Sequence, residues 1–524
     1  MKCNKILFIF YLFISLHLPS LNAAISLPVI PATQFLITNY GAISTSLDNS
    51  TAINAAITAA NVAGGGTVVI PAETFLSGPI TMKSNVNLYL SKGAILQLMP
   101  YGTGNGTPVG SYPNNGTADS YNNFIFGQNL SNIKISGTGT IEGNGTAWWA
   151  AYKANAAISR PCMIRFKACN TVQIDSVTLK NAPNVHLTLG QSGSSSGTNG
   201  TISNITVSAP STSPNTDAID TWYWTGINIT HCNLSVGDDN VAMNTNSQNI
   251  TITNCAMGTG HGLSVGSYTV NVQNIKADSC TFNGTTNGIR LKSNITRGGA
   301  DSTFVYSNMT MNNVKYPFYI TSWYDNEPYP ASAQVAGTVV ATTPQWKNIT
   351  FKNITVTNST TAGIIYGLPE MPIKNIVFDN VKIGATTSGL ITNFVNGLVF
   401  KNCSSITLPS GKGNAVIAYS AASSGINTTT GVSTSCTSAV DEIKANEMLT
   451  CYPNPLQGDN LTIKSEIGIS KVRIYSFTGL KIKEENGVKS TQLSIDTNRV
   501  LAGCYIVNVD FANGSSGSLK LLKK

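Results

Sequence analysis

The sequence predicts an all-β protein: a parallel β-helix built as a single-stranded solenoid, followed by a small C-terminal β-sandwich. Three observations predict it. A short phrase returns through the middle of the chain: "NITVSAP" from Asn204, "NITHCNLSVG" from Asn228, "NITITNCAMG" from Asn249 and "NIKADSCTFNG" from Asn274, at steps of 24, 21 and 25 residues. Each phrase alternates apolar and polar residues over a strand's length and then reaches a turn rich in Gly, Asn or Ser. The composition, with 47 Gly and only 11% charged residues in 524, suits short strands and turns better than long helices. A repeat this short cannot bury its apolar face alone, so it stacks on its neighbours at roughly 4.8 Å per coil.

In chain order, "MKCNK" is a short basic start and "ILFIFYLFISLHL" an apolar run, with small residues near Ala23 for cleavage. Residues 1–23 read as a signal peptide, with a membrane anchor as the competing reading. The mature chain is expected to be exported and soluble. The solenoid is assigned to residues 24–420 and should begin near residue 35. "AINAAITAANVAGGG" from Ala52 predicts a short amphipathic helix capping the first open coil. Earlier relatives of the phrase start at Asn132 and Asn170, later ones at Asn308, Asn348 and Asn375. Cys232, Cys255 and Cys280 recur at one place in successive phrases, which predicts a ladder of small buried residues rather than a redox site. The recurring Asn residues suggest an amide ladder, and the sequons they create are by-products of the repeat. Ten Cys in an exported chain leave a thiol over once Cys3 is removed. Cys162 and Cys169 are close enough to pair, as are Cys403 and Cys436, with no connectivity fixed. A Ser/Thr/Gly stretch marks a linker over 421–445. Residues 446–524 differ in character: from Val440 on there are 11 Lys+Arg and 9 Asp+Glu in 85 residues, with strand-like runs between turns.

The net charge is +8, but Lys and Arg are scattered without a dense basic block, which argues against a nucleic-acid partner. Acidic residues are scarce: 15 Asp+Glu lie between residues 24 and 439. Four of them, Asp217, Asp220, Asp238 and Asp239, fall within 23 positions, and three, Asp217, Asp238 and Asp239, are expected to converge. Asp217 to Asp239 is 22 residues, and Asp239 to His261 is 22 again, one coil each. Arg290 follows one longer coil later, and Arg290 and Lys292, two apart in a strand, point the same way. Crowded carboxylates push one another's pKa values apart, so one keeps a proton while another stays ionised. Glycosidic cleavage needs that division: an acid for the leaving oxygen and a carboxylate for the attacking water. The Arg and Lys are suited to the carboxylate of an acidic sugar. A calcium site in a β-elimination lyase, with Arg290 as base, is a second reading of the same residues. A non-catalytic β-helix adhesin is a third. Asp220, His186 and His231 are read as structural.

The order NTD, GDD, GHG and RLK resembles glycoside hydrolase family 28, the polygalacturonases and their relatives, from about Ile37 to about residue 405. The resemblance implies a right-handed β-helix, an inverting mechanism without metal or other cofactor, and a pectic substrate. It implies Asp238 as general acid, with Asp217 and Asp239 positioning and deprotonating the water. It further implies that His261 supports the acid's protonation, that Arg290, Lys292 and Tyr324 bind substrate, and that Asn215 is a supporting polar residue. Two departures are mild: RLK where RIK is usual, and "NVAMN" after GDD in place of a cysteine-containing version. Relatives that cut rhamnogalacturonan often lack the full GDD and basic pair, so their presence favours galacturonan; rhamnogalacturonan or xylogalacturonan is the alternative. The terminal segment, with "YPNP" at Tyr452–Pro455, "LAGCYIVNV" around Gly503 and the tail "LKLLKK", resembles a type IX secretion sorting domain. That implies export across a bacterial outer membrane and the secretion machinery as a partner; a carbohydrate-binding sandwich is the other reading. A secreted monomer acting on plant cell-wall pectin is expected. Endo or exo action depends on the long stretches from Tyr101 and Glu327.

Overall fold

The computed structural model describes residues 25–101, 123–193, 195–325, 335–418, 449–476, 481–498, 500–513 and 516–524. The chain forms two compact units, residues 1–432 and 433–524. The first contains a 32-stranded assembly in which every pairing is parallel and each strand pairs with the strand one coil above. One inward row runs Val172, Gly200, Ile227, Ile250, Ile275, Phe304, Ile349, Ile376 and Leu398 in register. Its members from coil to coil are buried, and each buried aliphatic or aromatic side chain contributes roughly 1.5–3 kcal/mol. Period-2 alternation puts the polar partner of each outward.

The register corrects one detail of the repeat. The phrase starting at Asn228 is not aligned with the one at Asn249: Ile227 pairs with Ile250, and Asn228 with Thr251. The phrase at Asn204 leads into a different strand, Thr206–Ser208. Alternating Asn-Ile-Thr suits more than one strand of the same coil, so the words recur at two places per turn. The Asn of the phrases takes a left-handed conformation, between two strands at Asn204 and within strands at Asn249, Asn274, Asn348 and Asn375, which Asn tolerates better than most residues. Stacked amides bond to one another there, Asn274 to Asn249 at 2.6 Å and Asn375 to Asn348 at 3.0 Å.

The first strand is Gln34–Leu36, paired with Gly66–Ile70. The helix Ser50–Val62 buries Ala52, Ile53, Ala56, Ile57 and Ala60, a stripe at helical spacing, against these first strands. Cys232, Cys255 and Cys280 are buried free thiols in successive coils, as the repeat predicts. Cys162 and Cys169 are also free, which overturns the suggested pairing; each thiol is buried, and Cys169 points to backbone carbonyls instead. Cys403 is disulfide-bonded, and Cys436 lies outside the described residues. Among the described residues the last solenoid strand is Val416–Ala418.

The second unit is an antiparallel sheet of five strands, Leu449–Tyr452, Asn460–Ser476, Lys481–Asp496, Gly503–Phe511 and Ser516–Lys523. It has its own core of Leu461, Ile463, Val472, Ile474, Val507 and Val509. Residues 1–23 and 421–445, read as signal peptide and linker, lie outside the described residues, as do 102–122 and 326–334 of the two long stretches.

Candidate active site

The carboxylates sit where three successive coils turn into the strands Ile219–Thr221, Val241–Met243 and Leu263–Val265. Ile219, Val241 and Leu263 are in register, so Asp217, Asp239 and His261, each two residues earlier, come from equivalent positions, as the 22-residue spacing predicts. Arg290 belongs to a neighbouring row: it pairs with Ser264, which pairs with Ala242, which pairs with Asp220.

The turn sequences have local causes. Asn240 is buried and ties the two turns together, its amide donating to Leu234 and Thr259 and its oxygen accepting from the Gly262 N–H at 2.8 Å. His261 N donates to the Asp238 carbonyl. A Cβ at Gly260, where φ is +132°, would lie 2.6 Å from the Asn240 oxygen and 2.7 Å from the Asp238 carbonyl, so the glycine before His261 is what lets the two coils approach.

Asp239 is the centre of the charge network, with a side chain only 3% exposed. It accepts from Lys292 Nζ at 2.8 Å, Arg290 Nη1 at 3.2 Å and Ser264 Oγ at 2.6 Å. Burial pushes its carboxyl up, but Lys292, Arg290 and His261 outweigh burial and hold it at about 2. Asp238 is more open, at 24%. Its Oδ1 lies 3.1 Å from His261 Nδ1, and its Oδ2 accepts from Asn215 Nδ2 at 3.5 Å. The same Nδ1 is 3.1 Å from Arg290 Nη1, so it faces a guanidinium donor and a carboxyl oxygen at once. Tyr324 lays its ring 5.4 Å from the Arg290 guanidinium and 5.2 Å from Lys292 Nζ.

Asp217 is driven the other way. Burial, and then the like charges of Asp220, Asp238 and Asp239, raise its carboxyl well above the usual range. Asp220, read as structural from the sequence, is part of the cluster: it is buried, and burial with Asp239 and Asp238 lifts it to about 8. The 22-residue spacing from Asp220 to Ala242 holds the signal that places it in the Arg290 row. His186 is also drawn in. Burial keeps its ring neutral, at about 4, and its Nδ1 bonds the Asp217 carbonyl at 3.0 Å. Arg160 is buried and binds the carbonyls of Pro183 and Pro214 and, at 2.7 Å, Asn215 Oδ1; nothing in its sequence surroundings marks it. His231 lies on a turn, bonded to its neighbour Thr230.

Asp220 carries a stability consequence. Its carboxyl binds a proton in the fold up to about pH 8, whereas an unfolded Asp releases it near 3.9. The folded state therefore holds more protons between these values, and stability falls as pH rises through that window. Asp220→Asn is expected to flatten this fall, so its melting temperature gains on the wild type between pH 5 and pH 8. Parallel melting curves across that range would contradict the assignment.

Asp238, Asp239 and His261 offer three potential metal-ligand atoms within 4.8 Å of one another. The set suits a divalent cation poorly, because Lys292 and Arg290 already occupy both Asp239 oxygens and place two positive charges there. Arg290 is also a poor base: burial would lower its pKa, but Asp239, with Tyr324 and Asp238, raises it.

A family model described as glycosyl hydrolases family 28 matches residues 64–404, and one described as a secretion system C-terminal sorting domain matches 450–524. An endo-polygalacturonase of Pectobacterium carotovorum subsp. carotovorum is 32% identical over 375 residues, 66% of this chain and 87% of that protein. The solved polygalacturonase of Erwinia carotovora ssp. carotovora is 27% identical, with a TM-score of 0.56 over 74% of this chain and 99% of that one. An exopolygalacturonase of Thermotoga maritima shares the fold, with a TM-score of 0.57 at 21% identity, over 75% of this chain and 93% of that one.

Proposed function

The chain belongs to glycosyl hydrolases family 28, and from that premise we propose how its residues carry out the inverting hydrolysis of α-1,4-galacturonosidic bonds in polygalacturonan. It is a secreted, pectin-degrading hydrolase, and its terminal sorting domain directs it to the cell surface or beyond. The observation that carries the residue assignment is the convergence of Asp217, Asp239 and His261 from equivalent positions of successive coils, beside Asp238 and the two cations. Asp239 is clamped as an anion by two cations, while Asp217 and Asp220 are pushed to hold protons.

Asp238 is the general acid. Its side chain is 24% exposed beside His261, against 3% for Asp239. The leaving oxygen takes its proton from Asp238, whose Oδ1 lies 3.1 Å from His261 Nδ1. When Nδ1 carries the hydrogen, it stabilises the carboxylate left behind. Asp217 and Asp239 hold the attacking water. Asp239, held near 2, is a weak base and orients, whereas Asp217 has the higher basicity needed to take the proton once ionised. Arg290 and Lys292 retain donors beyond those given to Asp239, and these, with Tyr324, meet the carboxylates of the sugars flanking the bond. Asn215 holds Asp238, and no cofactor enters the scheme. The enzyme acts as a monomer.

Purified protein incubated with polygalacturonic acid and a chelator should release reducing ends without the ultraviolet absorbance of unsaturated uronides. Absorbance abolished by the chelator would replace this mechanism with a lyase. The double variant Arg290→Ala, Lys292→Ala should raise KM more than tenfold and remove much of its salt dependence. Its kcat should fall as well, since burial then drives the Asp239 carboxyl up. A wild-type KM with unchanged salt dependence would remove both cations from substrate binding.

A further inference from the structure

Arg160 is only 6% exposed. Its Nη1 donates to the carbonyls of Pro183 at 2.9 Å and Pro214 at 2.5 Å, and its Nη2 donates to Asn215 Oδ1 at 2.7 Å. The guanidinium also lies 3.8 Å from the centre of the Tyr152 ring. Tyr152 belongs to the helix Gly145–Ala154, whose Trp149 Nε1 donates to the Ala182 carbonyl at 3.1 Å and whose Lys153 Nζ donates to the Thr212 carbonyl at 3.2 Å. Arg160 and this helix together hold the turns at residues 182–183 and 212–215. A buried cation is costly, and neutral carbonyls do not cancel its charge, so Arg160 calls for a role beyond packing.

Two links run from the second turn to Asp238. The first is the Asn215 amide. A guanidinium only donates, so Arg160 fixes the amide with Oδ1 toward itself, which leaves Nδ2 facing Asp238 Oδ2 at 3.5 Å. The second is Thr216. Its Oγ1 accepts from the N–H of Gly237, the residue before Asp238, at 3.1 Å, and lies 2.6 Å from Ser213 Oγ. The two turns are in such close contact that a Cβ at Gly237 would lie 2.1 Å from the Ser213 carbonyl. A shift of residues 213–216 is therefore passed to Asp238. Without Arg160 the Asn215 amide can turn over and present its carbonyl to Asp238. A protonated Asp238 then donates to Asn215 instead of to the leaving oxygen.

We propose that Arg160 is a positioning residue for the general acid, acting through the Asn215 amide and the Ser213–Thr216 turn to keep the proton of Asp238 directed at the leaving oxygen. The inference rests on the assignment of Asp238 above. Arg160 touches neither substrate nor the reacting atoms, so its loss falls on kcat rather than KM.

Arg160→Gln should lower kcat on polygalacturonic acid about thirtyfold, part of the roughly 10²–10⁴ that general acid catalysis supplies, with KM changed by no more than about twofold. On an oligogalacturonide whose leaving group is dinitrophenolate, which departs as an anion without a proton, the same variant should turn over within about twofold of the wild type. A purely structural role would lower both rates alike, so an equal loss on the two substrates overturns the proposal. Arg160→Lys keeps the charge but lacks the planar fork, so it should recover only part of the loss. Asn215 is exposed, so Asn215→Ala tests the same link with little strain on the fold, and it should show the same split between the two substrates. Adding Arg160→Gln to Asn215→Ala should lower kcat by far less than it does alone, because both residues act on one carboxyl. Losses that multiply, or an Asn215→Ala protein with wild-type turnover of polygalacturonic acid, overturn the proposal as well. An Asp238→Asn protein that cleaves polygalacturonic acid at the wild-type rate would instead bring down the acid assignment, and this inference with it.

Discussion

Asp238→Asn should lower kcat on polygalacturonic acid about a thousandfold while leaving KM close to that of the wild type. General acid catalysis supplies typically 10²–10⁴ in rate, and a poor leaving group such as a sugar alkoxide needs it. The amide has the shape of the acid and keeps contacts to Asn215 and His261, so substrate binding and stability should hold. What it lacks is a transferable proton. Release of reducing ends by the purified variant, compared with the wild type, measures the effect. A variant that keeps its turnover would take Asp238 out of the reaction, and a protein that only bound pectin would not register the change.

Replacing Asp239 should damage both stability and catalysis. Lys292 and Arg290 are 7% and 12% exposed, and Asp239 is the carboxylate that both of them meet. Removing it leaves two cations facing each other with little water, and breaking a buried pair from one side costs about 3–5 kcal/mol. Asp239→Ala should therefore melt well below the wild type and lose turnover by a hundredfold or more. Adding Lys292→Met removes one uncompensated charge, so Asp239→Ala, Lys292→Met should recover part of the melting temperature and none of the turnover. Recovery of both would mean that Asp239 serves only to neutralise Lys292. The pH dependence has a definite sign. The folded carboxyl at about 2 lies below the unfolded value near 3.9. Its stabilisation is thus fully present above about pH 4 and is lost as the pH falls through about 2.

Much of this site is legible in the sequence because a solenoid turns a long-range contact into a short, regular spacing. Asp217, Asp239 and His261 are 22 residues apart, and one coil there takes 22 residues, so their coincidence follows from counting. Arg290 and Lys292 follow from strand alternation. Asp220 escaped because a lone Asp beside a strand usually means a turn. Its importance comes from burial among like charges, which spacing does not report. The Asn-Ile-Thr phrases also misled in detail, since Asn228 and Asn249 hold different places in their coils.

The sequence by itself determined the stacked coils, the cap helix, the separate terminal unit and the family to which the chain belongs. These depend on period and on short motifs, and both survive without coordinates. Only the tertiary structure decided which carboxylate the two cations hold, that Asp220 joins the cluster, and that His186 and Arg160 brace Asp217 and Asn215. Those outcomes depend on turn lengths, side-chain direction and loss of water. A carboxyl's proton affinity is set by the few ångströms around it, and neighbours gathered from separate coils, such as Lys292, 53 residues from Asp239, meet only when the chain has folded.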